Sequence, residues 1–338
     1  MDVFANSAFS VRSLAGAIDR IAYAPQMLGA MGVFERRAVT RGSIYIDRRQ
    51  RDLTLIPASP RGAAPFQLGP EIRDAVPVRT QRLAKASTIM ATEIADVRAF
   101  NRENEVEVMQ SVVADRLARL RRDMELTHEH HRLGAVQGVV VDADGVTVLD
   151  DWFDLFGVTK PAPINFALSN SGTSVRQIAV DLARTMARTQ GAVPPGATIA
   201  ALCGDDFYDG LVGHPSVEKF YLNRPGRDMA EEGRAFDTFR FGNVTWINYR
   251  GTDDASQVAI PTNEARFFPI GAPGVFQHIM APDDEYVDGV GTLGRDIYAR
   301  QYPDHHDPAM RRAQVVQMDS YPAFVCTRPE VLQSGVAS

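Results

Sequence analysis

Residues 36–90 read RRAVTRGSIYIDRRQRDLTLIPASPRGAAPFQLGPEIRDAVPVRTQRLAKASTIM, and this stretch decides how the fold is interpreted. Apolar residues alternate with polar ones around Ile44 and Ile46 and again around Leu53 and Leu55, a period of two that predicts β-strands. The polar sequence DRRQRD is predicted to be the turn between them. Five prolines follow, so the rest is extended but cannot lie inside a sheet. With so few large apolar residues, the whole segment is expected to need another surface to lie on.

The same segment carries an excess of positive charge. It holds 11 basic and 4 acidic residues, whereas residues 252–338 hold 6 basic and 12 acidic residues. One end of the chain is therefore expected to attract the opposite end of a neighbouring copy. The chain contains 33 arginines and only 3 lysines, and arginine makes rigid, multidentate contacts that lysine does not. A GC-rich genome explains the same bias.

The composition is that of an ordinary folded protein. The 338 residues are 45% hydrophobic and 23% charged, which excludes a disordered or collagen-like chain. No apolar stretch approaches the roughly 20 residues that cross a bilayer, and Asp2 stands where a secretory signal has a basic residue, so neither a membrane span nor export is expected. The net charge of −6 argues against a protein that coats nucleic acid. Cys203 and Cys326 are expected to be buried thiols.

Hydrophobic periodicity predicts a mixed α+β fold without regular alternation of strands and helices. The longest helical pattern runs from residue 92 to about residue 133, with Gly134 as its stop. A hairpin is predicted around the Asp144-Gly145 turn. The other predictions are helices at 9–22 and 174–190, the second with Ser171 or Thr173 as N-cap and Gly191 as C-cap, and strands at 197–203, 239–248, 264–269, 314–318 and 323–327.

Two clusters contain residue types at a spacing that metal sites use. His128 and His131 share a helical face at ligand spacing, but a third ligand is found only in the distant cluster of His305, His306 and Asp307. Partly protonated histidines at a helix C-terminus are the favoured interpretation. Asp142 and Asp144 begin like a calcium loop, yet Phe153 stands where that loop needs glutamate, so a turn is predicted.

Two further motifs are better explained by a structural role than by a binding site. The glycines Gly289, Gly291 and Gly294 match a dinucleotide fingerprint, but no apolar strand precedes them and residues 295–302 make a poor helix. The acidic residues Asp205, Asp206 and Asp209 follow a strand and more simply begin a helix. The sequence therefore predicts no catalytic residues, no metal site and no cofactor.

Several ordered motifs span nearly the whole chain. The N-terminal motif begins at Leu28 and reads LGAMGVFERRAVTRGSIYIDRRQRDLTLIPASPRG. The C-terminal motifs are FGNVTWINYRG at 241–251, IPTNEARFFPIGAPGVFQHIMAPDD at 260–284, GTLGRDIYARQY at 291–302 and SYPAFVCTRPEVL at 320–332. Their order and spacing resemble those of the capsid protein E family, the lambda-type major head proteins of tailed phages.

The resemblance implies a Hong Kong 97-type capsid fold of the α+β class. It implies an N-terminal arm at 1–35 and a protruding E-loop at 36–90, followed by a spine helix at about 92–133. The other implied parts are a peripheral domain at 91–164 and 271–315, an axial domain at 165–270 and 316–330, and a C-terminal tail at 331–338.

The resemblance also implies a function and its partners. The expected protein is a major capsid protein that self-assembles into pentamers and hexamers of an icosahedral shell around double-stranded DNA. It would assemble in the host cytoplasm, become part of the virion, contact a portal protein, and use a scaffold or decoration protein if these exist. Arg48, Arg49 and Arg51 at the E-loop tip are expected to pair with carboxylates of an adjacent subunit, although a solvated turn explains them equally well.

Two departures from relatives of this fold shape the expectation. The arm begins at once, so no self-contained scaffold segment is expected. Lys85, at the base of the E-loop, is the only lysine near it, so a shell without covalent cross-links is expected. The alternatives are an encapsulin-like or gene-transfer particle shell and, less consistent with the motifs, a metal-dependent enzyme.

Overall fold

The computed structural model describes residues 27–50, 72–93, 105–189, 194, 196–222, 238–250, 258–303 and 313–338. The predicted helix at 9–22, the predicted cap Gly191 and the cluster of His305, His306 and Asp307 lie outside the described residues.

The described elements alternate irregularly between helices and strands, which confirms the α+β class. The helices are α1 (Met27–Ala30), α2 (Glu105–Gln137), α3 (Trp152–Leu155), α4 (Val175–Arg188), α5 (Asp205–Val212) and α6 (Pro215–Leu222). The strands are β1 (Glu35–Ala38), β2 (Ser43–Gln50), β3 (Ile72–Arg79), β4 (Leu83–Met90), β5 (Val139–Val141), β6 (Val148–Asp151), β7 (Ile164–Asn165), β8 (Thr198–Cys203), β9 (Thr238–Phe241), β10 (Val244–Asn248), β11 (Glu264–Ile270), β12 (Phe276–Met280), β13 (Tyr298–Pro303), β14 (Ala313–Ser320), β15 (Pro322–Cys326) and β16 (Gln333–Val336).

The long helix α2 packs an apolar stripe onto a three-stranded sheet of order β13-β14-β4. The side chains recur every three or four residues, as an amphipathic helix requires. They are Val113, Leu117, Leu120 and Met124, all buried, and they form one cluster with Ile89 of β4 and with Val316 and Met318 of β14. The predicted stripe is therefore confirmed in its described part.

The predicted stop of this helix at Gly134 is wrong. The helix continues to Gln137 and ends at Gly138, whose φ of 87° is readily adopted only by glycine. Gly134 instead permits close packing, because a Cβ there would lie 2.9 Å from the carbonyl oxygen of Val139. The chain then turns into the β5–β6 hairpin, which was predicted around Gly145.

Residues 36–90 differ from the prediction in two ways. β2 runs through Asp47–Gln50 and pairs with β3 along its whole length, so these residues extend a ladder and do not form a turn. β4 pairs over eight residues with β14 of its own chain. The segment was expected to need another surface, and β4 finds that surface within its own chain, because it pairs with the fully buried strand β14.

A six-stranded sheet of order β7-β16-β11-β8-β10-β9 forms the largest layer. The predicted buried strand β8 lies inside it, and α4 and α5 pack against β10. The prediction of one strand at 239–248 is wrong. Gly242 and Asn243 have φ values of 61° and 67°, a pair that makes a tight hairpin turn and divides the segment into β9 and β10.

A third layer, of order β1-β12-β15, joins the two ends of the chain. β1 runs parallel to β12, and β12 runs antiparallel to β15. The predicted strands at 264–269, 314–318 and 323–327 are confirmed as β11, β14 and β15. The strands β12, β13 and β16 were not predicted.

The capping residues predicted for α4 are also wrong. Asn170 forms a turn in which its side chain accepts from the backbone N–H of Gly172, and this turn delays the start of the helix. Ser174 is the N-cap and Thr189 is the C-cap. Among the described residues, no helix is both long and apolar enough to cross a bilayer.

Candidate assembly surfaces

The β2–β3 hairpin has one face on the body of the protein and one face in solvent. Ile44 and Ile46 lie opposite Val78 and Val76 in the ladder, and both valines are buried in the main core. Tyr45, on the other face, has 72% of its surface exposed. Period-two alternation therefore places an aromatic side chain on the outside of the hairpin.

The predicted contact residues Arg48 and Arg49 lie in β2 rather than in a turn. Their positions in the ladder are opposite Asp74 and Arg73, respectively. The contacts of their side chains, and all of Arg51, lie outside the described residues. Their pairing with a neighbouring subunit stays a prediction.

Part of the positive charge of residues 36–90 is paired within the chain. Arg82 lies 2.7 Å from a carboxylate oxygen of Glu285, and Lys85 lies 2.6 Å from one of Asp123. Arg36 lies 3.5 Å from Asp296. The contacts of Arg82 and Arg36 therefore join the two oppositely charged ends within one subunit, where only contacts between neighbouring copies were expected.

A buried acidic group joins the C-terminal strands to one another. Asp283 is fully buried and accepts hydrogen bonds from Arg300 and from the hydroxyl of Tyr321, the latter at 2.8 Å. Burial raises the pKa of Asp319, which accepts two hydrogen bonds from Gln317. Burial, with the Asp283 carboxylate as a second cause, also raises the pKa of Tyr321.

An exposed apolar patch lies next to this group. We define it by Val287, Val290 and Leu293, which are 90%, 65% and 62% exposed. Large apolar side chains that are this exposed within one short segment are a candidate protein–protein contact. Sequence reasoning missed this patch, although three apolar residues at intervals of three in a glycine-rich segment were its signal.

Two of the three glycines that resemble a dinucleotide fingerprint lie close to the backbone of the preceding segment. A Cβ at Gly289 would lie 1.8 Å from the carbonyl oxygen of Asp283, and one at Gly294 would lie 2.0 Å from that of Met280. These glycines therefore allow a close approach between two backbone segments. The segment that follows them forms β13, and it is not a helix.

The N-terminal end of the described chain is anchored by Glu129 of α2. Its carboxylate is buried and accepts from the backbone N–H groups of Leu28 at 2.7 Å and Gly29 at 3.2 Å. Arg132 donates to the same carboxylate at 3.3 Å. Burial, and secondarily the Glu129 carboxylate, raises the pKa of the neighbouring Tyr249. The anchor thus joins α1 to the long helix through charge-assisted hydrogen bonds.

The histidines of α2 are interior groups. His128 and His131 are 0% and 2% exposed, and burial lowers the pKa of His131 to about 4 and that of His128 well below its usual value. Both are neutral at pH 7, so their interpretation as partly protonated end-of-helix groups is wrong. Within the described residues, no group of three or more His, Cys, Asp and Glu is placed to hold a metal ion.

The remaining sequence candidates have structural roles. Asp144 accepts from two backbone N–H groups in the predicted turn. Asp205 and Asp206 lie in the first turn of α5, as predicted. The predicted thiols Cys203 and Cys326 are buried and free, and burial raises the pKa of Cys326 to about 12.

The arrangement of layers matches capsid proteins of known structure. A structure of the capsid of cyanophage P-SCSP1u superposes with a TM-score of 0.54, covering 90% of this chain and 86% of that chain at 12% sequence identity. The protein therefore has the Hong Kong 97-type capsid fold.

Sequence comparison then gives the family. The model that describes phage major capsid protein E matches residues 10–337, so the chain belongs to this family. The major capsid protein of Pseudomonas phage KPP10 is 27% identical over 301 residues, which cover 81% of this chain and 82% of that relative. The major capsid protein of Salmonella phage Felix O1 is 24% identical over 361 residues, which cover 96% of this chain and 95% of that relative. The protein is thus a phage major capsid protein and a structural part of the virion.

Proposed function

We propose that this protein assembles into pentamers and hexamers that tile an icosahedral shell around double-stranded DNA. The proposal rests on the family match over residues 10–337. Head-to-tail contacts between identical subunits close into rings, and many weak contacts acting together make a shell hard to dissociate. The net charge of −6 fits a container that does not grip its DNA tightly.

The parts of the subunit are proposed to divide this work. Residues 1–35 act as the arm, 36–90 as the E-loop and the region of α2 as the spine helix. The peripheral domain comprises 91–164 and 271–315, and the axial domain comprises 165–270 and 316–330. Residues 331–338 were expected to form a C-terminal tail, but β16 lies between β7 and β11 in the six-stranded sheet. The apolar patch favours this assignment, because it gives the peripheral domain an exposed surface that a second copy of the chain would bury.

Arg48, Arg49 and Arg51 are proposed to contact carboxylates of an adjacent subunit. The double variant Arg48→Glu with Arg49→Glu should lower the fraction of protein that sediments as rings or shells. Its charge-matched control is Arg184→Glu with Arg188→Glu on α4, outside the E-loop. Equal assembly of both variants and the unmodified protein would refute the pairing.

The shell is proposed to be non-covalent and without catalytic activity. Lys85 is paired with Asp123 at 2.6 Å, which favours a structural role for the only lysine near the E-loop. Particles boiled in detergent should therefore give a single band at the subunit mass of 37.1 kDa. A ladder of larger bands would contradict this.

The proposed partners are a portal protein and, where present, scaffold and decoration proteins, with assembly in the host cytoplasm. An encapsulin-like or gene-transfer particle would share the fold and differ in cargo. Nuclease-treated particles from producing cells distinguish these. Protected double-stranded DNA of one uniform phage-genome length supports the proposal, whereas protein cargo or random host fragments refute it.

A further inference from the structure

The interior contains a cluster of polar side chains at a point where four segments of the chain meet. His128 belongs to α2, His278 to β12 and Ser320 to the end of β14, while Asp296 precedes β13. His128 and His278 are 0% and 2% exposed. Phe324 stacks on His278, with the ring centroids 4.3 Å apart, and closes one side of the cluster with apolar surface.

Three buried atoms of this cluster face one another without a hydrogen-bond partner among the described residues. They are Nδ1 of His128, Nε2 of His278 and Oδ1 of Asp296. The carboxylate oxygen lies 3.6 Å from the His128 atom and 3.7 Å from the His278 atom. Both distances are too long for direct hydrogen bonds, and an unsatisfied buried polar atom is costly.

The neighbouring hydrogen bonds fix the tautomer of His128. The hydroxyl of Ser320 donates its one hydrogen to the backbone carbonyl of Asp296 at 2.6 Å. The contact of 3.0 Å between His128 Nε2 and Ser320 Oγ must then use a hydrogen on the histidine. Because the ring is neutral, its Nδ1 carries a lone pair. Two acceptors, His128 Nδ1 and Asp296 Oδ1, therefore face each other and need donors.

We propose that one buried water molecule binds between these three atoms. It donates one hydrogen to His128 Nδ1 and one to Asp296 Oδ1, and it accepts the hydrogen of His278 Nε2. Three hydrogen bonds to otherwise unsatisfied groups are typical of a conserved internal water. This single ligand satisfies all three atoms and assigns His278 as the Nε2–H tautomer.

The surrounding charges favour a neutral ligand over a cation. Arg36 lies 3.5 Å from the other carboxylate oxygen of Asp296, and it already supplies a positive charge to that group. Arg132, one helical turn from His128 on α2, adds a second positive charge to the cluster. The other titratable groups around His128 are His131 of the same helix and His278 of β12. The bound water would thus fix Asp296, and with it the segment that carries the apolar patch, to the long helix.

A high-resolution density map of the full-length protein tests this site. The expected result is one spherical peak at about 2.7 to 3.2 Å from all three atoms. His214 is the internal reference, since both of its ring nitrogens already have protein partners and no additional peak is expected there. An empty site, direct closure of the side chains onto one another, or a heavier ion with bonds of about 2 Å would overturn the proposal.

Solid-state NMR of particles labelled with 15N at histidine gives an independent measurement. The expected spectrum assigns neutral Nε2–H tautomers to His128 and His278 at pH 7. A variant with His128→Gln identifies the resonance of that residue. A Nδ1–H tautomer at His128 would place a hydrogen between the two supposed acceptors and would also overturn the proposal.

Discussion

Replacement of Glu129 should release the N-terminal part of the described chain from the long helix. Its carboxylate receives hydrogen bonds from Leu28, Gly29 and Arg132, and both Glu129 and Arg132 are only 4% exposed. Glu129→Ala leaves one buried and one half-buried backbone N–H group, and one buried guanidinium, without this acceptor. Removing one partner of a buried charged pair costs about 3 to 5 kcal/mol.

The conservative variant separates charge from hydrogen bonding. Glu129→Gln keeps one acceptor oxygen but loses the negative charge, so a smaller loss of about 1.5 to 3 kcal/mol is expected, the range for one hydrogen bond to a charged group. Glu35→Gln is the matched control, because Glu35 is exposed in β1 and a surface change of this kind stays within about 0.5 kcal/mol.

Urea denaturation of the unassembled subunit measures these free energies of unfolding, and limited proteolysis near residue 27 reports release of α1. The order expected from most to least destabilised is Glu129→Ala, Glu129→Gln and Glu35→Gln, with faster cleavage in the first two. If Glu129→Ala is as stable and as resistant to protease as the control, the anchoring argument is refuted.

The pH dependence of stability, the close approach at Gly289 and the role of the apolar patch can each be measured. Burial lowers the pKa of His131 and that of His278 to about 4 in the folded protein. As the pH falls below the usual histidine pKa of about 6.5, the unfolded chain binds protons first, so the free energy of unfolding should drop by roughly 3 kcal/mol for each histidine by pH 4. Urea titrations between about pH 6.5 and pH 4 that show no drop would contradict this. Gly289→Ala places a methyl group 1.8 Å from a backbone oxygen, whereas the nearest atom to a methyl group at Gly172 is 3.4 Å away. Thermal unfolding should show that Gly289→Ala loses about 3 kcal/mol or more of stability and that the control Gly172→Ala loses little. The double variant Val287→Asp with Leu293→Asp should fold but should assemble less than the unmodified protein in sedimentation. The control Val146→Asp, at an exposed hairpin position outside the patch, should assemble normally. Equal assembly of the double variant and the control would exclude the patch as a contact between subunits.

Local sequence signals predicted the elements that depend on local physics. The stripe from Val113 to Met124 and the buried run of β8 are periodic, and the Asp144-Gly145 turn has its own chemistry, so all were predictable. The boundaries of the helices and strands were not predictable, because they depend on residues that are distant in sequence. Gly134 looked like a helix stop, but the approach of Val139 makes a glycine necessary inside the helix.

The surfaces were harder to predict than the elements. The pairing of β4 with β14 joins residues more than two hundred positions apart, and no local pattern indicates it. The charge difference between the two ends was visible, yet the contacts of Arg82 with Glu285 and of Arg36 with Asp296 show that part of it acts within one subunit. The burial of His128 depends on Phe324 and His278, which reach α2 only in the folded chain.

Negative-stain electron microscopy of the expressed protein, combined with sedimentation, shows whether the chain assembles into a shell. Closed shells, tubes, or rings with five and six subunits are expected. A monomer or small dimer that persists even when the matching portal and scaffold proteins are co-expressed would contradict it.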